Sequence, residues 1–421
     1  MNILIRGAGF ENKGAEAMLR VVQRELSARI PSVSFQAVVK PLEAYSTYCS
    51  GIAPLYYEPS LRMQILRMFP LVSKIPEFLL SKKNPEFARA IKVNTKAAYE
   101  INAIESIDAV VDVSGFSYSD SWGVGGFKYA WPWLEYCQLK KKPYIFLPQA
   151  WGPFRKEDVA DWANKLSQVA DMIVSRDDES SKHLAQLQKN PVLEVRQCSD
   201  IAFRFQGAPS FVGNDILNSL GISGNRPVIG LVPNMRIYER TTGNGASNLY
   251  VKLLIALANH CIEVLGVDVL LAPNEIKVPG IQEADDRFLC GIVSAHIREA
   301  KHCFTLRDYY SSETVKSILG QVDLLIASRF HSLVFALSQG IPVLALGWSH
   351  KYYELLRPFG LEEYVVDYDK LDTADVISLA EKAWQQRKFT GEHICGIVPR
   401  LQAQVDELFD DVATMICEPN R

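Results

Sequence analysis

An arginine and a histidine stand two residues apart in IASRFHSLVFALSQGIPV, residues 326–343. A guanidinium is a planar fork that grips a carboxylate or phosphate through parallel hydrogen bonds. An imidazole donates a hydrogen bond or moves a proton near neutral pH. Arg329 and His331 therefore point to chemistry on a small anion. An isolated Arg-x-His has a plainer reading as well, with Arg329 paired to a structural carboxylate and His331 satisfying a helix end. Position weighs for the ligand. VDLLIAS (322–328) reads as a buried parallel strand. RFHSLVFALSQG then carries Leu333, Val334, Ala336 and Leu337 at helical spacing, and Gly340 and Pro342 close it. Arg329 and His331 thus fall between a strand's carboxyl end and the first turn of a helix. Ligands of open α/β sheets bind there, and the unpaired N–H groups of a helix start welcome an anion.

The next strand–helix junction, LALGWSHKYYELL, holds His350 and Lys351. Right-handed crossovers put both junctions on one edge of the sheet, so Arg329, His331, His350 and Lys351 line one wall. Lys351 alone would read as a solvated surface lysine. Arg236 follows Pro233-Asn234 at another strand end and is a third candidate for holding an anion. Arg240 competes with it, and either can be an ordinary loop arginine.

The elements that position these residues alternate along the whole chain. NILIRGAG, VSFQAVV, DAVVDVSG (108–115), PYIFLPQA (143–150) and DMIVSRD (171–177) are short apolar runs separated by helix-length segments. Such alternation implies a mostly parallel sheet. Gly, Ser, Asn and Pro crowd 205–227, and the pattern restarts at PVIGLVPN (227–234), VDVLLAPN (267–274) and PVLALGW (342–348). The expected organisation is α/β, with two Rossmann-like domains facing a cleft. Residues 1–210 are the expected N-terminal domain, and residues 225–421 the expected C-terminal domain, which carries the last helix.

Of 421 residues, 45 are Lys or Arg and 48 are Asp or Glu, giving a net charge of −3. That balance argues against nucleic acid as a partner. The eight cysteines form no CxxC pair and none stands at zinc-ligand spacing from a histidine, which fits a reduced cytoplasmic compartment. No signal peptide is read at MNILIRGAGF, no apolar run reaches spanning length, and no DxD-type metal signature stands out. GxGxxxxGA in the opening loop departs from the dinucleotide fingerprint, so NAD binding is rejected.

SRFHSLVFALSQGIPVLALGWSHKYYELL resembles the polysaccharide pyruvyl transferase family, as do GAGFENKGAEAML, FLPQAWGPF, VSRDDESSKHL and SDIAF in the same order. The resemblance implies a glycosyltransferase-B-like fold, with the acceptor on the domain of residues 1–210 and the donor on that of residues 225–421. It also implies transfer of pyruvate from phosphoenolpyruvate to two hydroxyls of a sugar, with a ketal formed and phosphate released. Phosphoenolpyruvate is then the donor substrate, and no cofactor or metal is expected. Carried over by motif, Arg329 and His331 contact the donor, with Arg236 as a second arginine. Phe330 between them and Asn12 in the opening loop complete the set. Two loops depart from the family pattern: Ala15 stands where many members have an acidic residue, and DVSGFSYSD replaces a glycine run.

Ketal formation needs a proton at the methylene carbon and bases near neutral pKa. His331 is the leading candidate for proton transfer, and Glu16 is the candidate base. Glu16 has a plainer reading as a carboxylate at the positive end of a helix. On the acceptor side, SGFSYSDSWGVGGFKYAWPWLEY (114–136) mixes aromatic rings with polar tips, a surface suited to sugars. Tyr118, Asp120 and Trp122 are its candidate contacts, with core packing as the alternative for its aromatics.

The expected acceptor is a surface polysaccharide or its lipid-linked precursor. LRMQILRMFPLVSKIPEFLLSKK (61–83) is apolar and basic, so peripheral contact with the inner face of the membrane is one reading and an ordinary packed helix pair the other. Two other functions stay open: a nucleotide-sugar glycosyltransferase of the same fold, and a non-catalytic glycan-assembly protein.

Overall fold

The computed structural model describes residues 1–39, 43–55, 107–187, 193–277, 285–370 and 372–418. The basic segment 61–83 lies outside them. Among the described residues no helix is long and apolar enough to cross a membrane.

Thirteen strands among the described residues form two sheets, and every pairing is parallel. The first sheet holds β1 (Asn2–Arg6), β2 (Ser34–Val38), β3 (Ala53–Leu55), β4 (Ala109–Asp112), β5 (Tyr144–Gln149), β6 (Met172–Ser175) and β7 (Glu194–Gln197). The second holds β8 (Val228–Val232), β9 (Asp268–Leu271), β10 (Cys303–Thr305), β11 (Leu324–Ala327), β12 (Val343–Gly347) and β13 (Val365–Asp367). Their orders are β3-β2-β1-β4-β5-β6-β7 and β10-β9-β8-β11-β12-β13. Both are doubly wound, with the direction of winding reversing between the first and fourth strands of the sheet. Parallel sheets are covered on both faces, so their strands read as unbroken apolar runs. VIGLV, LLIA and VLALG are buried along their whole length.

The chain divides into two compact units: residues 1–10, 22–200 and 404–421 form the first, and residues 11–21 and 201–403 the second. This differs from the expected boundary. The Gly- and Pro-rich stretch is no linker: Ser210–Leu220 is a helix whose Gly213 N–H donates to Ser317 Oγ at 3.1 Å. Composition marked a turn-rich segment there, and packing assigned it to the second unit. The terminal helix Thr373–Cys417 does not belong wholly to the second unit either, since Arg29 and Arg196 in the first unit pair with Asp410 and Asp411.

Candidate active site

In the second unit the winding reverses between β8 and β11. Three groups meet the Ser328 backbone and hydroxyl at that point. Asn234 Nδ2 and Tyr352 OH both donate to Ser328 O at 2.7 Å, and Tyr250 OH donates to Ser328 Oγ at 2.7 Å. The helix that follows, Phe330–Leu337, is apolar nearly all round, and seven of its eight residues are buried. A helix of that composition belongs inside a core. The segment carrying Arg329 and His331 is therefore fixed at both ends.

Arg329 is only 7% exposed, and both terminal nitrogens are engaged. Nη1 donates to Glu275 Oε2 at 2.6 Å and Nη2 to Asp286 Oδ1 at 2.5 Å. Asp286 also accepts main-chain N–H bonds from Met235, Asn274 and Glu275, at 3.1, 3.3 and 2.8 Å. Glu275 turns its other oxygen to Lys277 Nζ at 2.7 Å, and Lys277 reaches Glu11 at 2.9 Å. The result is an alternating series, Glu11–Lys277–Glu275–Arg329–Asp286. Burial alone would push the Glu275 carboxyl up, but the Arg329 charge and the Lys277 hydrogen bond hold it at about 2. At fully buried Asp286 desolvation outweighs the same guanidinium, and its pKa is raised. The carboxylate partners of the plainer reading of Arg329 thus exist, at the same strand end the ligand reading requires.

His331 meets the N-terminal turn. A Cβ built on Gly14 would lie 2.0 Å from His331 Nδ1. That turn is held by Asn12, whose Oδ1 accepts from Gly14 N at 3.0 Å and Ala15 N at 3.3 Å, capping the helix Lys13–Arg29. Lys13 N donates to Asn274 O at 3.1 Å and Ile276 N to Glu11 O at 2.9 Å, fastening the turn to the loop after β9. Asn12 is thus a helix cap here. Glu16 is buried and accepts from Lys13 Nζ at 3.0 Å, so its carboxylate has a partner rather than an open face. Desolvation raises the Glu16 pKa against the pull of Lys13. Lys13 is fully buried, and its ammonium also sits over the Tyr309 ring, 3.8 Å from the centroid. A cation at the first turn of a helix opposes the helix dipole, so these partners offset a real cost.

Lys351 is also buried. Its Nζ lies 4.4 Å from the Trp348 ring centroid, 5.5 Å from Tyr352 and 5.6 Å from Phe330. Phe330 in turn lies edge-on to His331, with ring centroids 5.3 Å apart. The sequence-derived candidates Phe330, His331 and Lys351 are therefore brought together by one aromatic chain. His350 stands half-buried just before the helix Lys351–Leu356. Arg236 pairs with Glu239 at 3.1 Å on the helix Met235–Tyr238 and its flank, whereas Arg240 stacks on Trp348 at 4.7 Å. Of these two arginines it is Arg240 that reaches the aromatic group carrying Lys351.

The three acceptor-side candidates lie in the first unit and do not form one surface. Tyr118 is a core residue: it stacks on Trp151 at 4.9 Å and donates to Asp112 at 3.0 Å. Asp112 also binds Arg6 and Tyr144, at 2.9 Å each, so Tyr118 completes a buried polar cluster at the carboxyl ends of β1 and β4. Alternation in an aromatic-rich loop cannot separate a ring that faces sugar from one that faces core. Asp120 accepts from Arg155 N at 2.9 Å and Lys156 N at 3.2 Å, tying down the chain ahead of the helix Glu157–Ser167. Trp122 alone of the three is exposed, at 45%.

Lys13, Glu275 and Asp286 escaped the sequence reading. Glu275 had a signal, because PNE (273–275) follows a strand end as Arg329 does. Asp286 is in sequence one more acidic residue among 48, and only packing shows its four hydrogen-bonded partners.

Two doubly wound parallel sheets, one with cations and a histidine at its switch point, define a two-domain α/β protein of the glycosyltransferase-B-like class. The chain belongs to the polysaccharide pyruvyl transferase family, whose model matches residues 12–350. It is 21% identical over 324 residues to the amylovoran biosynthesis protein AmsJ of Erwinia amylovora, covering 73% of this chain and 74% of that one. Its fold is similar to the UDP-GlcNAc 2-epimerase of Neisseria meningitidis bound to UDP-GlcNAc, with a TM-score of 0.57, 11% identity and coverage of 98% and 100%. It is also similar to Arabidopsis thaliana UGT89C1 complexed with UDP-L-rhamnose, with a TM-score of 0.57, 11% identity and coverage of 99% of each chain.

Proposed function

We propose that this protein transfers pyruvate from phosphoenolpyruvate to a sugar of a surface polysaccharide or of its lipid-linked precursor. The observation that carries the reading is the grouping of Arg329, Phe330, His331 and Lys351 at the carboxyl end of β11 and the junction after β12. A compact set of cations beside a histidine suits a small dianion. Membership of the polysaccharide pyruvyl transferase family and the likeness to the amylovoran biosynthesis protein AmsJ support the glycan side of the reading.

In the proposed reaction one acceptor hydroxyl adds to C2 of the enol while a proton goes to the methylene carbon, which becomes a methyl group. The second hydroxyl then attacks C2 and phosphate leaves with the C2–O bond. The two hydroxyl protons balance the proton taken up by carbon and the one released. In this reading His331 passes a proton to carbon or to the departing phosphate. Lys351, which shares the Phe330 ring with His331, neutralises charge on the phosphate as the bond breaks. Glu16 is engaged by Lys13, so the proton-transfer role is assigned to His331.

The test is phosphate release from phosphoenolpyruvate with galactose-, mannose- and glucosamine-containing acceptors, run alongside His331→Ala and Arg329→Ala. Acceptor-dependent release lost in both variants supports the reading. No release with any acceptor, together with tight binding of a nucleotide sugar, overturns it. Full retention of glycan assembly by His331→Ala in cells would instead mark a non-catalytic protein.

A further inference from the structure

The alternating charge series Glu11–Lys277–Glu275–Arg329–Asp286 fixes the geometry of Arg329. A guanidinium carries five N–H donors, and Glu275 and Asp286 take one from each terminal nitrogen. The Nε–H is buried with no hydrogen-bond partner among the described residues. The two carboxylates come from separate places, the loop after β9 and the start of the helix Asp286–Ser294. Together they leave the planar group a single orientation. Glu275 is itself set from the other side by Lys277, and the Asn12–Glu275 bridge sets the backbone that carries it.

We propose that Glu275 and Asp286 are positioning residues for the donor site, acting through Arg329. They hold its guanidinium in one plane so that a small dianion meets a group already oriented and partly neutralised. The inference rests on the pyruvyl-transfer reading above. Pre-orientation matters because ordering a free arginine side chain on binding costs affinity. Partial neutralisation matters because phosphate must leave after each turnover.

Asp286 also holds three main-chain N–H groups, so Glu275 is the cleaner residue to change. Glu275→Gln keeps the shape and loses the charge, and Glu275→Asp keeps the charge and loses the reach. Phosphoenolpyruvate binding alone is measured by calorimetry, and steady-state rates are measured with donor and acceptor each varied. In Glu275→Gln the donor Kd and donor KM are expected to rise about tenfold, with the acceptor KM unchanged. Glu275→Asp is expected to fall between it and wild type, and carries the test if the glutamine variant does not fold. By charge alone, deleting a carboxylate would tighten binding of an anion, so a lower donor Kd overturns the inference. Unchanged donor binding, or donor and acceptor KM rising together, overturns it as well. If wild type binds phosphoenolpyruvate and the variants bind it equally, the inference alone fails. If wild type binds none, the functional reading and the inference fall together.

Discussion

Gly14 lies against the His331 imidazole so closely that a Cβ on it would stand 2.0 Å from Nδ1. Non-bonded heavy atoms need about 3.5 Å. Gly14→Ala must therefore displace the ring or the N-terminal turn by more than an ångström. With His331 in the proton-transfer role proposed above, a shift of that size costs on the order of 100-fold in turnover. The helical preference of alanine over glycine, roughly 0.5–1 kcal/mol, offsets part of the strain. The expected variant is folded and nearly inactive, as steady-state rates and a circular-dichroism melt would show. Wild-type turnover would mean that the His331 position is unimportant.

Lys351→Met tests the cation at the aromatic group. Methionine fills the space beside Trp348, Phe330 and Tyr352 and packs well on aromatic rings. The change therefore removes charge with little loss of packing. Donor KM is expected to rise about tenfold or more, with a melting temperature near that of wild type. A donor KM equal to wild type would make Lys351 a packing residue only.

Strand–helix alternation made the central strands of both sheets legible, because a parallel strand buried on both faces leaves a short apolar run. The edge strands β3, β7, β10 and β13 were missed, being short and, in β7 and β10, without a fully buried residue. The Arg329–His331 position was legible for the same reason, as the strand end located it. Charge pairing was not legible. Glu275 and Asp286 lie 54 and 43 residues from Arg329 in sequence, and no local pattern encodes which carboxylate reaches which guanidinium. Burial of individual aromatics was equally hidden. Tyr118 and Trp122 share one loop and one composition, and only the packing of Trp151 on Tyr118 tells them apart.

Tyr118→Phe separates fold from acceptor binding. The hydroxyl donates to Asp112, a carboxylate already serving Arg6 and Tyr144. Losing a buried bond to a charged group costs about 1.5–3 kcal/mol. Urea unfolding should show a loss of that order, while acceptor KM stays at the wild-type value. A raised acceptor KM without loss of stability would return Tyr118 to the acceptor surface.

The Glu275–Arg329 contact also predicts a pH dependence of stability. Glu275 has a folded pKa of about 2 against 4.5 for an ordinary glutamate. A depressed carboxyl pKa stabilises the fold above the unfolded value, and that stabilisation is lost as pH falls through the folded one. At neutral pH the contribution is on the order of 3 kcal/mol, at about 1.4 kcal/mol for each pH unit of the shift. Burial raises the pKa of neighbouring Asp286, so that group acts with the opposite sign, and the total acid profile is a sum. The difference between wild type and Glu275→Gln isolates the one residue. It should be constant from pH 7 to about 5, shrink between about pH 4.5 and 2, and vanish below. Urea unfolding of both proteins across that range measures it. A difference that persists undiminished at pH 2 would show that the glutamate charge is not what Arg329 responds to.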